Sequence, residues 1–339
     1  MKVQQHLLEI IEGKKSAPLT RPLLRLLSYG YLGGVKMRNA AYDRGMLKAY
    51  ACGLPVISIG NIVAGGTGKT PLTAYIAEEL SRKKKVAILS RGYRGTLGNQ
   101  TLLVTPQTPT SLCGDEPRLL ADKLPDVLVF VGKDRLESAK KAQALGAEIL
   151  LLDDGMQHRQ LKRDVDIVSM HKDNLFGHGA FLPRGLLRDD PHRLKKASLI
   201  ALQGAPTEEE YRAAKTQLRP LTDAPITAFK LEIEEGERFA GKKVAAFCAL
   251  ACPHRFFETL SRIGAHVVLT ETLPDHAHFT RRHLEKISQT AIKLGAELLV
   301  CTEKDSVKLA ESLKKSLAIE TLKMRLQPTF GEAALRRVL

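Results

Sequence analysis

The sequence predicts an α/β protein: a mostly parallel sheet flanked by helices, with a second, smaller α/β lobe and an N-terminal amphipathic helix. Three observations predict it. Short apolar runs alternate with segments of helical spacing from residue 55 to about 152. The same alternation resumes at 243, after a less periodic stretch, and continues past 303. The first apolar run passes directly into a glycine-rich turn that opens a helix. A chain of 339 residues suits about two such lobes, and the pattern divides it into 1–50, 51–225 and 226–339.

Taken in order, residues 19–48 read as helix, with Leu23, Leu24, Leu26, Leu27, Tyr31, Leu32 and Val35 as an apolar face interrupted by Gly30, Gly33 and Gly34. Residues 1–48 hold nine Lys/Arg and three acids, a net +6. Such a helix either lies on anionic lipid or packs on the body and shows water its charged face. PVISI (55–59) is a strand, and Lys69 to Arg82 a helix through Leu72, Tyr75, Ile76 and Leu80. Strands at 86–90, 127–131 and 147–152 follow, separated by helices at 115–123 and 134–145. Residues 171–240 read as loops, a helix at 207–217 and a strand at 226–233 that leads to the second lobe. There, strands at 243–248, 266–270 and 297–301 alternate with helices at 254–263, 280–294 and from 303 onward.

Composition narrows the function. With 44% hydrophobic and 26% charged residues, the chain has enough apolar surface to fold. Its 52 basic and 37 acidic residues give +15, which calls for an anionic partner. Aromatic residues are 5% and Trp is absent, a poor supply for stacking nucleic-acid bases. The cysteines, Cys52, Cys113, Cys248, Cys252 and Cys301, are odd in number and lack zinc-finger spacing, so a reducing cytosol fits better than a disulfide framework or a structural zinc site. Glu9 and Glu12 interrupt the run that a signal peptide needs. Ala49 to Gly68 is uncharged and long enough to span a bilayer, but six helix-breaking Gly and Pro residues make it a strand and turn instead.

That turn carries the sharpest signal. In Gly60-Asn-Ile-Val-Ala-Gly-Gly-Thr-Gly-Lys-Thr70, backbone N–H groups of Val63, Ala64, Gly65, Gly66, Thr67 and Gly68 can converge on a phosphate. Lys69 reaches the outer phosphates and the Thr70 hydroxyl holds Mg²⁺, which together define a P-loop for a nucleoside triphosphate and leave kinase, ATPase switch and GTPase open. The pattern departs from G-x-x-x-x-G-K-[ST] at its first position, where Val63 stands. Downstream, ILLLDDGMQH (149–158) ends an apolar strand in Asp153 and Asp154, placing carboxylates for a metal where strand ends meet a ligand.

Further segments stand in a fixed order: SRGYRG (90–95), GDEP (114–117), VGKDR (131–135), LPRGLLRD (182–189), PDHAHF (274–279) and TEKDSVKL (302–309). With VISIGNIVAGGTGKTP and LLDDGMQH, this set resembles the tetraacyldisaccharide 4'-kinase family of lipid A biosynthesis over residues 20 to 310. The resemblance implies transfer of the ATP γ-phosphate to the 4'-hydroxyl of a tetraacylated glucosamine disaccharide 1-phosphate, giving lipid IVA, at the cytoplasmic face of the inner membrane. It implies Asp115 as general base, paired with His276, with Lys69 acting on the phosphates. Glu116 joins Thr70, Asp153 and Asp154 as a candidate Mg²⁺ ligand. Tyr93, Arg135, Gln157, Arg188 and Asp189 fall near the glycolipid head group, an Arg fork suiting its phosphate. His276, His278 and His283 include an H-x-H spacing, but no third ligand makes a zinc site.

Two departures mark this sequence. FLPRGLLRDD stands where the family reads close to LLPAGPLRE, with Arg184 for a small residue, Leu186 for Pro and Asp189 for Glu. Arg94 follows Tyr93 in SRGYRG. A different class, the membrane-recruited P-loop ATPase switch, carries Lys just before the paired glycines, where this chain has Ala64. A nucleic-acid ATPase would suit the charge but lacks an aromatic–basic stacking motif.

Overall fold

A computed structural model describes residues 10–11, 20–93, 95–250, 253–275, 277, 279–309 and 318–339. His276, His278, Arg94 and Cys252 lie outside them. Among the described residues thirteen strands form two sheets. The larger runs β13-β8-β7-β6-β1-β5-β2-β4-β3 and the smaller β10-β9-β11-β12. In chain order these are β1 (Val56–Gly60), β2 (Val86–Ser90), β3 (Leu102–Val104), β4 (Leu128–Val131), β5 (Ile149–Asp153), β6 (Val165–His171), β7 (Leu199–Gln203), β8 (Ile226–Ile233), β9 (Lys243–Cys248), β10 (His266–Thr272), β11 (Leu298–Thr302), β12 (Ile319–Leu322) and β13 (Met324–Phe330).

The central strands are parallel and buried on both faces, which is why they read as unbroken apolar runs. Only the edge pairs, β3 with β4 and β13 with β8, are antiparallel. Parallel order puts the carboxyl ends of β1, β2, β4, β5, β6 and β7 along one rim, where open α/β sheets take their ligands. One face packs Ile57, Ile59, Ile88 and Leu151 under Leu72 and Ile76 of the helix Lys69–Ser81. The other packs Val56, Leu89, Phe130 and Leu150 under Ala139 and Ala142 of Arg135–Ala144.

The structure differs from the sequence reading in three places. The strand at 226–233 does not lead out of the first sheet. It is β8, paired parallel with β7, and the chain comes back as β13 beside it, followed by the helix Glu332–Val338, whose Leu335 joins the large core. The second sheet is therefore an insertion between β8 and β13, and a boundary at 226 cuts through the first. Strands β6 and β7 also lie in the stretch read as poorly periodic or passed over. β7 is short, and β6 carries Asp166 and Ser169 inside its run. Third, the helix opening at 303 is one turn, Glu303–Ser306.

The N-terminal helix spans Thr20–Asp43. Leu24, Ser28, Val35 and Asn39 form its buried face, with Ser28 donating to the Phe181 carbonyl at 2.8 Å. Its outward face is not simply charged: Leu23, Leu26, Leu27, Tyr29 and Met37 are all exposed. No helix among the described residues is long and apolar enough to cross a membrane.

Candidate active site

The site grows from the end of β1. Gly65 (φ 109°) and Gly68 (φ 73°) take backbone conformations that L side chains rarely adopt, and a Cβ on Gly68 would lie 3.0 Å from the Gln203 side chain. Gly68 is also the N-cap of Lys69–Ser81, and no side chain caps that helix. Its first amides are thus left for an anion. The loop is held from beneath. Asn61, fully buried, donates to Thr67 Oγ1 at 2.8 Å and to the Val63 carbonyl, and the Ser169 hydroxyl from β6 donates to the Thr67 carbonyl.

Across the rim, β5 ends in Asp153, which accepts from Ser90 at 3.1 Å and from Thr73 at 3.3 Å. Burial, reinforced by the neighbouring charges of Glu116 and Asp154, pushes its carboxyl up to about 6. Asp154 behaves oppositely. Burial works to raise it, but Lys69 and Arg188 outweigh burial and hold it below the usual carboxylate range. Lys69 Nζ lies 3.6 Å from Asp154 Oδ1, while Arg188 grips the same carboxylate with both terminal nitrogens at 3.1 and 3.2 Å. Thr70 donates to Glu116 Oε2 at 3.2 Å. Lys69, Asp154 and Arg188 thus form one contact group and Thr70 with Glu116 a second, the two joined by the chain neighbours Lys69 and Thr70, and Asp153 is tied to the same helix through Thr73.

Asp115 is buried at the start of the helix Asp115–Lys123, where acidic residues suit the positive helix end. Gly114 before it has φ 90°, and a Cβ there would sit 2.7 Å from the Tyr93 carbonyl, so the SRGY and GDEP loops close directly on each other. Tyr93 itself is exposed, on the edge of a cavity of about 270 Å³ lined by Arg91, Gly92, Gly132 and Lys133. Arg135 is buried, donates to the Gly132 carbonyl, and is lowered to about 10, chiefly by burial. Gln157 donates to the Asn61 carbonyl at 2.9 Å, under the loop. Asp189 has other partners: it is buried, accepts from Asn39 at 2.8 Å and lies 3.5 Å from Arg38, which makes it an anchor of the N-terminal helix.

Four residues around the site escaped the sequence reading. Asn61 sits inside the quoted motif yet acts as the post beneath the loop. Ser90 was seen only as the start of SRGY. Gln203 closes β7 against Gly68, with its Nε2 buried and unpartnered among the described residues. Lys308 reaches Asp115 from the second lobe at 3.8 Å. Only TEKDSVKL could have flagged Lys308, and nothing in a linear sequence says that β7 ends beside the loop.

The fold and site define a P-loop nucleotide-binding protein of the parallel α/β class. Residues 20–339 match the family model described as tetraacyldisaccharide-1-P 4'-kinase. The chain is 39% identical to the tetraacyldisaccharide 4'-kinase of Anaeromyxobacter dehalogenans strain 2CP-C, over 89% of this chain and 84% of that one. It is 35% identical to that of Syntrophus aciditrophicus, over 90% and 89%. Its structure resembles that of LpxK from Aquifex aeolicus in complex with ATP, with a TM-score of 0.76 and 29% identity over 94% of this chain and 99% of that one. The chain belongs to the tetraacyldisaccharide-1-P 4'-kinase family, and its activity is that of a lipid A 4'-kinase, a phosphotransferase.

Proposed function

We propose that the chain transfers the γ-phosphate of ATP to the 4'-hydroxyl of tetraacylated glucosamine disaccharide 1-phosphate, giving lipid IVA, with Asp115 as the base. The observation that carries this assignment is the contact of Thr70 with Glu116, which sets the phosphate-loop helix beside the residue following Asp115. As the sugar oxygen bonds to the γ-phosphorus, Asp115 takes its proton, the bridging P–O bond breaks, and ADP leaves. Lys69 neutralises the charge that accumulates on the phosphate oxygens. Arg188 keeps Asp154 ionised and in place. His276, by the family pattern, pairs with Asp115. Arg135 and Tyr93 belong on the acceptor side of the cleft.

A hydroxyl and carboxylates at the loop suit Mg²⁺, which keeps water and phosphate oxygens as its other ligands. The charge that raises Asp153 is charge a cation there would relieve. Thr70, Glu116, Asp153 and Asp154 are the residues to hold it, and when bound it supplies further neutralisation of the triphosphate. The N-terminal helix is proposed to rest on anionic lipid at the cytoplasmic face of the inner membrane, through its exposed leucines and the flanking Arg21, Arg25 and Lys36, without crossing the bilayer.

Incubation with ATP and the tetraacyl disaccharide 1-phosphate in detergent tests the assignment. Phosphate appears on the lipid with the wild type and is abolished in Asp115→Asn with ATP affinity kept; ATP hydrolysis without lipid phosphorylation would instead favour the switch class. For the membrane contact, Leu26→Ser with Leu27→Ser lowers co-sedimentation with anionic vesicles by about 30-fold, since two half-exposed leucines contribute roughly 2 kcal/mol. Unchanged co-sedimentation removes that contact from the proposal.

A further inference from the structure

The helix after the phosphate loop offers an anion fewer amides than a helix start usually does. The first turn of a helix leaves its N–H groups without backbone partners, but here the third residue is Pro71, which has no N–H to give. Within the loop, the Ala64 amide is committed to the Leu186 carbonyl at 2.7 Å and the Thr67 amide to the Gly65 carbonyl at 3.1 Å. A triphosphate carries several anionic oxygens, so a further donor beside this loop has acceptors to meet.

Gln203 stands at that place. It ends β7, whose carboxyl end faces the same rim as β1, on the side of β1 away from β5 and its aspartates. Its side chain lies against the helix N-cap: a Cβ on Gly68 would be 3.0 Å from Gln203 Cγ and Cδ and 3.3 Å from Oε1. The residue is 4% exposed, and its Nε2 is buried without a hydrogen-bond partner among the described residues. Burying an amide nitrogen unpaired opposes folding, and a side chain that only filled space beside Gly68 would avoid that cost by being apolar.

We propose that Gln203 is a nucleotide-binding residue: its Nε2 donates to a non-bridging oxygen of the triphosphate held by the loop, in place of the amide that Pro71 lacks. The inference rests on the reading of residues 63–70 as the ATP site. A neutral donor suits the position. Lys69 already supplies positive charge there, and a carboxamide at a strand end adds direction rather than charge. β7 is paired on both sides, with β6 and with β8, so the donor is fixed before the nucleotide arrives.

The test is equilibrium binding to the full-length protein by calorimetry, without the lipid acceptor, using ATP and inorganic tripolyphosphate. Gln203→Met keeps an unbranched side chain against Gly68 and removes the donor. Both ligands bind about 20-fold more weakly, the loss expected for a hydrogen bond to a charged acceptor. The ligand-free variant unfolds in urea at or above the wild-type midpoint, because an unpaired buried amide has given way to an apolar group. A loss under about threefold for both ligands overturns the proposal. A loss confined to ATP overturns it too, by putting the contact on the ribose or base, and a lowered midpoint makes Gln203 a brace of the fold instead. If Gln203→Met does not fold, Gln203→Glu decides: a carboxylate there repels the triphosphate and weakens both ligands by about 20-fold or more, and a smaller change defeats the contact. A wild type that binds neither ligand defeats the ATP site itself. A wild type that binds ATP but no tripolyphosphate places the affinity on the nucleoside and defeats the Gln203 contact, as does a variant that binds both ligands like the wild type.

Discussion

The turn after β1 and the turn after β11 are built on the same unit, a buried parallel strand that runs into a helix at the carboxyl edge of its sheet. After β1 the chain uses Gly65 and Gly68 and leaves the helix without a side-chain cap, and beside it Asp153, at the end of the neighbouring β5, sits among like charges. After β11 it uses Thr302, whose side chain accepts from the Asp305 amide, and Asp305, whose carboxylate is matched by Lys308. In the first turn two of the amides expected to meet phosphate are already used, Ala64 donating to the Leu186 carbonyl at 2.7 Å and Thr67 to the Gly65 carbonyl at 3.1 Å, but the helix start has no side-chain cap, so a ligand can supply one. The second satisfies itself and becomes a rigid post. Glycine against threonine at one turn, and an unmatched against a matched aspartate, separate a binding site from a support.

The comparison is broken most directly at Lys69. Lys69→Ala lowers turnover by about 10³-fold, roughly 4 kcal/mol of transition-state stabilisation, because the triphosphate loses its charge partner. The melting temperature of the ligand-free protein stays near that of the wild type. A large loss of stability instead would mean that the ligand turn holds the fold together as the support turn does.

Asp153→Asn sharpens it. A carboxyl raised from 3.8 to about 6 binds its proton more tightly folded than unfolded. Its contribution to stability is present below about pH 4 and is lost as pH rises through about 6, a swing of roughly 3 kcal/mol. The asparagine removes that slope. In urea unfolding of ligand-free protein, the variant gains on the wild type as pH rises and then runs parallel to it above about pH 7. A constant offset across that range would show that Asp153 carries no unrelieved charge.

Much of this was legible before any coordinates. GGTGKT after an apolar strand declares its turn because positive-φ glycines and a lysine leave a local signature, and ILLLDD declares a strand end for the same reason. What failed to show was pairing at a distance. β7 is four apolar residues and a glutamine that helix or strand could claim, and only the parallel neighbours β6 and β8 make it a strand. β8 and β13 lie about ninety residues apart in sequence, so their pairing, and with it the extent of the first lobe, follows from long-range packing alone. Lys308 was in view as a letter of TEKDSVKL, but only the docking of the two sheets brings it near Asp115.

Thr302→Ala gives the smallest effect and tests the other half of the comparison. Thr302 Oγ1 accepts from the Asp305 amide at 3.3 Å and donates to Asp305 Oδ2 at 2.7 Å. Losing a threonine N-cap costs about 1 kcal/mol. Asp305 keeps the Ala249 amide and Lys308, so the post loosens without collapsing. Denaturant unfolding should register that loss while KM for ATP stays at the wild-type value, because the amides that meet the triphosphate belong to the other turn. A rise in KM for ATP with no loss of stability would reverse the assignment, making the turn after β11 part of the nucleotide site and its threonine a ligand-facing group.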